Sequence, residues 1–174
     1  VDTATDGDVL RISRVSDASN GTVSMDANGD IRFVPDANFH GQASYTYWVS
    51  DGQTETPAVM HVTLDAMNDA PVATGETGSG DEDATLMFTS AALLANDSDV
   101  DTATDGDVLR ISSVGQAEHG MVFLDANGDV RFVPDANYNG PASHTYWVSD
   151  GHDGLDGVQP VPATVQLNIL QVND

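Results

Sequence analysis

The sequence predicts an all-β fold: sandwich domains in tandem, with about seven short strands per full repeat. Three observations predict it. The chain repeats itself at a domain-sized interval. Its apolar residues alternate with polar ones over short runs, the period of a half-buried strand. Turn residues separate those runs, with 16 glycines, 7 prolines and two Asn-Gly pairs at matching places.

The repeat fixes the organisation. Val1–Ser13 returns unchanged as Val100–Ser112, Asp26–Asp30 as Asp125–Asp129, Arg32–Asn38 as Arg131–Asn137 and Thr46–Gly52 as Thr145–Gly151. The offset is 99 throughout, and 39 of the first 52 positions are identical between copies. That period is too long for a solenoid repeat and has the size of an independent domain. The predicted domains are 1–69, truncated at its N-terminal side, and 70–174, a complete repeat. Pro71 marks the boundary, since proline ends a ladder and opens an extended linker. With Val1 first and neither methionine nor a signal peptide, the chain is expected to be a fragment or a mature excised piece.

The elements follow in order. Leu10–Val15 and Leu109–Val114 alternate as strands. Asn28-Gly29 and Asn127-Gly128 each sit between alternating runs, and both residue types accept positive φ, so each marks a hairpin. In the second copy its arms are Gly120–Leu124 and Val130–Pro134. Ala84–Phe88 reads as an early strand and Ser90–Ala95 as one helical turn. Ser143–Ser149 carries Tyr146 and Trp147, and Trp48 and Trp147 are expected to fill the middle of the core. Val161–Val172 is a long final strand of period two. Turns every 8–12 residues or so between such strands are the pattern of an immunoglobulin-like sandwich.

Charge narrows the function. Lysine plus arginine number 5, aspartate plus glutamate 28, and the net charge is −23. All the cations are arginine, scattered along the chain, so no basic patch exists for nucleic acid or for an anionic membrane surface. No apolar run is long enough to insert into a membrane. Without cysteine there is no disulfide, thiolate chemistry or Cys-type zinc site. The histidines form no metal-binding or protease pattern, and the glycines around Ser79 form no nucleophile elbow, so the chain is expected not to be an enzyme.

The carboxylates carry the chemistry instead. Asp97, Asp99, Asp101, Asp105 and Asp107 fall within eleven residues. A spacing of two in a loop turns several oxygens toward one point. Calcium takes six to eight oxygens in irregular cages, whereas magnesium demands a strict octahedron, so the loop suits calcium. Asp26–Asp30 and Asp125–Asp129 look superficially similar, but a hairpin turn explains them. Asp51-Gly52 and Asp150-Gly151 end strands and rank as weak candidates.

In series, Asn68–Ala73 (NDAPVA), Asp81–Asp83 (DED), Leu93–Asp101 (LLANDSDVD), Asp105–Leu109 (DGDVL), Val133–Gly140 (VPDANYNG) and Thr145–Gly151 (TYWVSDG) resemble the bacterial cadherin-like, immunoglobulin-like tandem repeats of very large surface adhesins and biofilm-associated proteins. These are often of the RTX type. The resemblance covers essentially the whole chain. One departure stands out: the family closes its acidic loop as a short D-x-D-x-D-G-D run, and here Thr102-Ala103-Thr104 splits it. The resemblance implies a secreted, extracellular module of the bacterial cell surface, with calcium near the domain junctions. It maps the interdomain ligands onto Asp65, Asn68 and Asp69 in the linker and Asp97 and Asp99 in the following loop. Glu82 takes the place of the family's early glutamate and would serve the junction after Asp174. The expected function is a calcium-rigidified extender repeat in cell adhesion and biofilm formation. Its partners would be neighbouring repeats and calcium ions. The alternative is a carbohydrate-binding cadherin-like module with polysaccharide as partner, for which Tyr45, Tyr47 and Trp48 are the only candidate platform.

Overall fold

Period-two alternation becomes burial in Val161–Leu170, where Ala163, Val165, Leu167 and Ile169 point inward and the residues between them are exposed. The computed structural model describes residues 9–103, 106–154 and 157–173. The chain divides into two compact units, Val1–Met67 and Asn68–Asp174.

The first unit contains β1 (Arg11–Ser19), β2 (Gly21–Met25), β3 (Ile31–Pro35), β4 (Gly41–Ser50) and β5 (Glu55–Leu64). β1, β4 and β5 form one antiparallel sheet, and β2 and β3 form a hairpin. The second unit contains β6 (Glu76–Asp81), β7 (Leu86–Phe88), β8 (Arg110–Glu118), β9 (Gly120–Leu124), β10 (Val130–Pro134), β11 (Gly140–Ser149) and β12 (Val161–Leu170). A helical turn, α1 (Ser90–Leu93), follows β7, and shorter turns span Leu94–Asn96 and Asp101–Ala103. Two sheets, ordered β6-β12-β11-β8 and β7-β10-β9, face each other as a seven-stranded sandwich. The repeat unit of the chain is therefore an all-β sandwich, as its alternation and turn spacing predict.

Each piece has a local cause. Asn127 and Gly128 close the β9–β10 hairpin, with Gly128 at φ 83°. Thr89 caps α1 by accepting from the Ala92 amide at 3.3 Å, and the Ser90 amide donates to Asp129 Oδ1 at 2.9 Å. Leu93, 2% exposed, closes one end of the core. β6 is the strand that the sequence conceals. It runs parallel to β12, pairing Glu76 with Val165 and Asp81 with Leu170. Its segment is rich in glycine, which is depleted in strands generally, but here glycine is sterically required. A Cβ on Gly75 would stand 2.4 Å from the Thr164 carbonyl oxygen, and one on Gly80 2.7 Å from Leu86 Cγ.

The tryptophans correct an expectation. Along β11 the buried side chains of the core include Ala142, Tyr146 and Val148, while Trp147 between them points outward and is half-buried. Trp48 in β4 is likewise only half-buried, and the Arg14 guanidinium lies 3.6 Å from its ring centroid. Alternation allows one face per strand, and the tyrosines take the inner one. That also removes the aromatic row a polysaccharide platform needs: Tyr45 is 8% exposed, and the Trp48 face carries Arg14.

Candidate metal centre

The antiparallel pairing of β8 with β11 places the start of one beside the end of the other: Arg110 lies opposite Ser149. Asp107 approaches β8 at that end, and Asp150 leaves β11 there. The loop from Asn96 to Ala103 completes the pole. An isolated bridge between Val72 and Ser98 anchors it, and the turn at Asp101–Ala103 folds it back. Asp99, Asp101 and Asp107 each offer a carboxylate oxygen, and these oxygens lie within 4.8 Å of one another.

The cluster is buried as well as crowded. Asp101 is 7% exposed, Asp107 4% and Asp150 2%. Asp99 Oδ1 accepts from the Asp101 amide at 2.8 Å, and Asp101 Oδ2 accepts from the Asp69 amide at 2.7 Å. Asp150 Oδ2 accepts from Asn68 Nδ2 at 2.9 Å, and its Oδ1 from the His152 amide at 2.8 Å. Among the described residues, none donates a hydrogen bond to Asp99 Oδ2 or to either oxygen of Asp107. His152 Nδ1 stands 2.9 Å from Asp107 Oδ1, an ion pair when the imidazole is protonated. Burial, and then the charges of Asp101, Asp107 and Asp150, raise the Asp99 carboxyl above its ordinary range. Burial also acts to raise Asp150, but the bonds from Asn68 and the His152 amide outweigh it and hold that group low.

Several buried carboxylates with oxygens left over make an arrangement that is costly by itself and well matched to a hard cation. Such groups remain ionised together only if something positive joins them. The donor set is oxygen-rich, which fits calcium. Asp99, Asp101 and Asp107 would hold the ion, with Asp150 beside them. Asn68 and the Asp69 amide fix the Asp150 and Asp101 carboxylates from the linker side.

Asp97 turns the opposite way: its Oδ1 accepts from the Thr74 amide at 2.7 Å, and its Oδ2 lies 3.5 Å from the Tyr146 hydroxyl. There it joins Glu76, whose Oε1 is 2.9 Å from the same hydroxyl, and burial raises both carboxyls. Glu82, 5% exposed, sits at the opposite end of the four-stranded sheet, where its Oε1 accepts from the Val172 amide at 2.9 Å. Asp65 is exposed, one residue beyond β5. Asp105 lies outside the described residues. Asp125 serves its turn: Oδ1 accepts from the Asn127 and Asp129 amides at 2.9 and 3.1 Å, and Oδ2 from Arg131 at 3.0 Å. Those bonds, the one from Asn127 first, hold its carboxyl low.

The residue that sequence reasoning undervalues is Asp150, together with its neighbour His152. Its signal is topological. Once Ser143–Ser149 is paired antiparallel with the strand after Asp107, the residue just past Ser149 must lie beside that aspartate.

Comparison with known proteins bears on the whole chain. The family model for the cadherin-like domain matches residues 1–65 and again 67–169. No curated protein matches the chain. Among solved structures, human protocadherin-24 EC1-2 is similar in two crystal structures, each covering 97% of this chain and 85% of that one. Their identities are 18% and 16%, with TM-scores of 0.54 and 0.50. An endo-fucoidan hydrolase of glycoside hydrolase family 107 aligns over 97% of this chain at 18% identity and a TM-score of 0.39; this chain spans 24% of its length. Matched by that family model along nearly all of its length, in two successive copies, the chain belongs to the cadherin-like domain family.

Proposed function

We propose that this chain is a calcium-rigidified extender of a large bacterial cell-surface adhesin of the RTX type, acting in cell adhesion and biofilm formation. Cadherin-like domains are typically extracellular and non-enzymatic, and they occur as tandem repeats that bind calcium. The observation that carries the calcium reading is the pole of the second unit. Asp99, Asp101 and Asp107 bring oxygens within 4.8 Å of one another, and neither oxygen of the buried Asp107 accepts a hydrogen bond from the described residues. The physical logic is charge balance. A divalent ion offsets carboxylates that otherwise repel, and it ties the linker residues Asn68 and Asp69 to the loop and strand ends they already contact.

The reading makes the second unit's stability depend on calcium. An ion that binds only the folded state adds RT ln(1 + [L]/Kd), about 2.7 kcal/mol at a hundredfold excess over Kd. Calcium titrated into chelator-treated protein should give saturable heat in a calorimeter and raise the melting temperature by several degrees. Flat heats together with superimposable melting curves in EDTA and in millimolar calcium would remove the proposal.

A further inference from the structure

The two copies of the Asn-Gly hairpin differ in what they show to solvent. Inward positions keep their character: Val122 repeats Val23, and Leu124 stands where the first copy has Met25. Outward positions do not, for Met121 and Phe123 stand where β2 has Thr22 and Ser24. Thr22 and Ser24 are exposed, and so are their replacements, Met121 at 58% and Phe123 at 49%. Core packing therefore does not account for the exchange, since neither side chain enters the core.

The register gathers these residues on one apolar face. Arg131 on β10 lies between Met87 on β7 and Phe123 on β9, and Val133 lies opposite Met121. Met87 is 57% exposed, like its neighbours across the sheet. The outward side of β12, in the other sheet, is polar by contrast, with Thr164, Gln166 and Asn168 exposed. β7, β9 and β10 contain no acidic residue, and Arg131 is their one charge. Its Nε and one Nη donate to Asp125 Oδ2 at 3.2 and 3.0 Å, which leaves the other Nη without an acceptor among the described residues.

We infer that the outer face of the β7-β10-β9 sheet is a self-association surface, occupied by the same face of a second copy of this chain. The occupant must offer apolar area to Met87, Met121 and Phe123 and a carboxylate to Arg131. A cationic partner would meet Arg131 here, and the net charge of −23 would draw it to the acidic loops instead. An acidic partner meets the reverse conditions. The loops repel it, and this face, with no acid in its strands and one arginine, admits it. A second copy is such a partner, and it brings the same apolar row. An isologous contact of two such faces buries both rows and gives each Arg131 a carboxylate from the other hairpin. The face is small: three strands about 4.8 Å apart and about 17 Å long give roughly 250 Å². A standard interface buries about 800 Å² per partner, so the association is weak, with a dissociation constant on the order of 0.1–1 mM.

The test is sedimentation equilibrium of the full chain at concentrations up to about 1 mM. EDTA keeps calcium from bridging carboxylates, which separates this inference from the calcium reading, and about 0.5 M NaCl screens the repulsion between acidic chains. The weight-average mass should rise with concentration toward that of a dimer. Met121→Thr combined with Phe123→Ser, which restores the residues of the first copy's hairpin, should weaken the association at least about fivefold. Met87→Thr, on a different strand of the same face, should weaken it in the same direction and guards against misfolding of the hairpin variant. A parent chain that stays monomeric at the highest concentration overturns the inference. So does association that both variants leave unchanged, because the contact then lies on another surface.

Discussion

Asp107 and Asp125 show how one residue type acquires two roles. Asp125 has both carboxylate oxygens engaged by its own hairpin and by Arg131, whereas Asp107 is buried with neither oxygen hydrogen-bonded by the described residues. Asp107→Asn should therefore lower calcium affinity by tenfold or more, about 1.4 kcal/mol per factor of ten. Asp125→Asn should leave affinity unchanged and cost only turn stability. Equal losses in parallel calorimetric titrations would show that the loops are ranked wrongly. His144 gives a second prediction. It stacks on Phe132 with ring centroids 5.7 Å apart, where the first copy has Tyr45, and burial pushes its pKa down to about 4. The unfolded chain takes up a proton near pH 6.5 that the folded chain refuses, so this group costs stability as pH falls from 6.5 toward 4. In full the cost is about 3 kcal/mol. Glu76, Asp97 and Asp99 are raised carboxyls and act in the opposite sense. His144→Phe isolates the histidine: its loss of stability between about pH 7 and 4, measured by urea denaturation, should be smaller than that of the parent. Identical pH slopes would refute the assignment.

At the scale of elements, β6 is held by what its glycines omit. Gly80→Ala would place a methyl 2.7 Å from Leu86 Cγ and should destabilise the second unit by about 1–3 kcal/mol. Gly115→Ala, in β8, would meet the Trp147 ring at an ordinary 3.5 Å and should cost under about 1 kcal/mol. Denaturation midpoints of the two variants check the contrast. The same strand explains what is legible in the sequence. Gly120–Leu124 and Val130–Pro134 coincide with β9 and β10 because the Asn-Gly pair and the alternation agree on one register. Glu76–Asp81 carries neither signal, because its role is to let β12 and Leu86 come close, and that depends on contacts remote in sequence. The acidic loop is legible as a cluster but not as geometry. Asp97 lies in it, but the bridge at Ser98 faces it toward Tyr146. Asp107 joins Asp99 and Asp101 despite the intervening Thr102-Ala103-Thr104, with the turn at Asp101–Ala103 between them.

At the scale of the whole molecule, the proposed function carries an expectation for the acidic linker. Between Leu64 and Pro71 there are six residues, and Asp65, Asn68 and Asp69 are among them. We expect a chain of two complete repeats to be straight and narrowly distributed in calcium and to bend when the ion is withdrawn, as the carboxylates repel. Small-angle scattering measures this directly: the distance distribution should broaden in EDTA, and superimposable profiles would exclude a calcium-stiffened junction.

The parallel pairing of β6 with β12 has one more consequence. The first and last strands of the second unit run the same way over six paired positions, from Glu76–Val165 to Asp81–Leu170. A tension applied to the two ends of this unit pulls those strands in opposite directions along their own length. The ladder between them is then sheared all at once, and its hydrogen bonds must break together instead of unzipping one by one. A repeat folded this way resists stretching along its strands far better than it resists peeling.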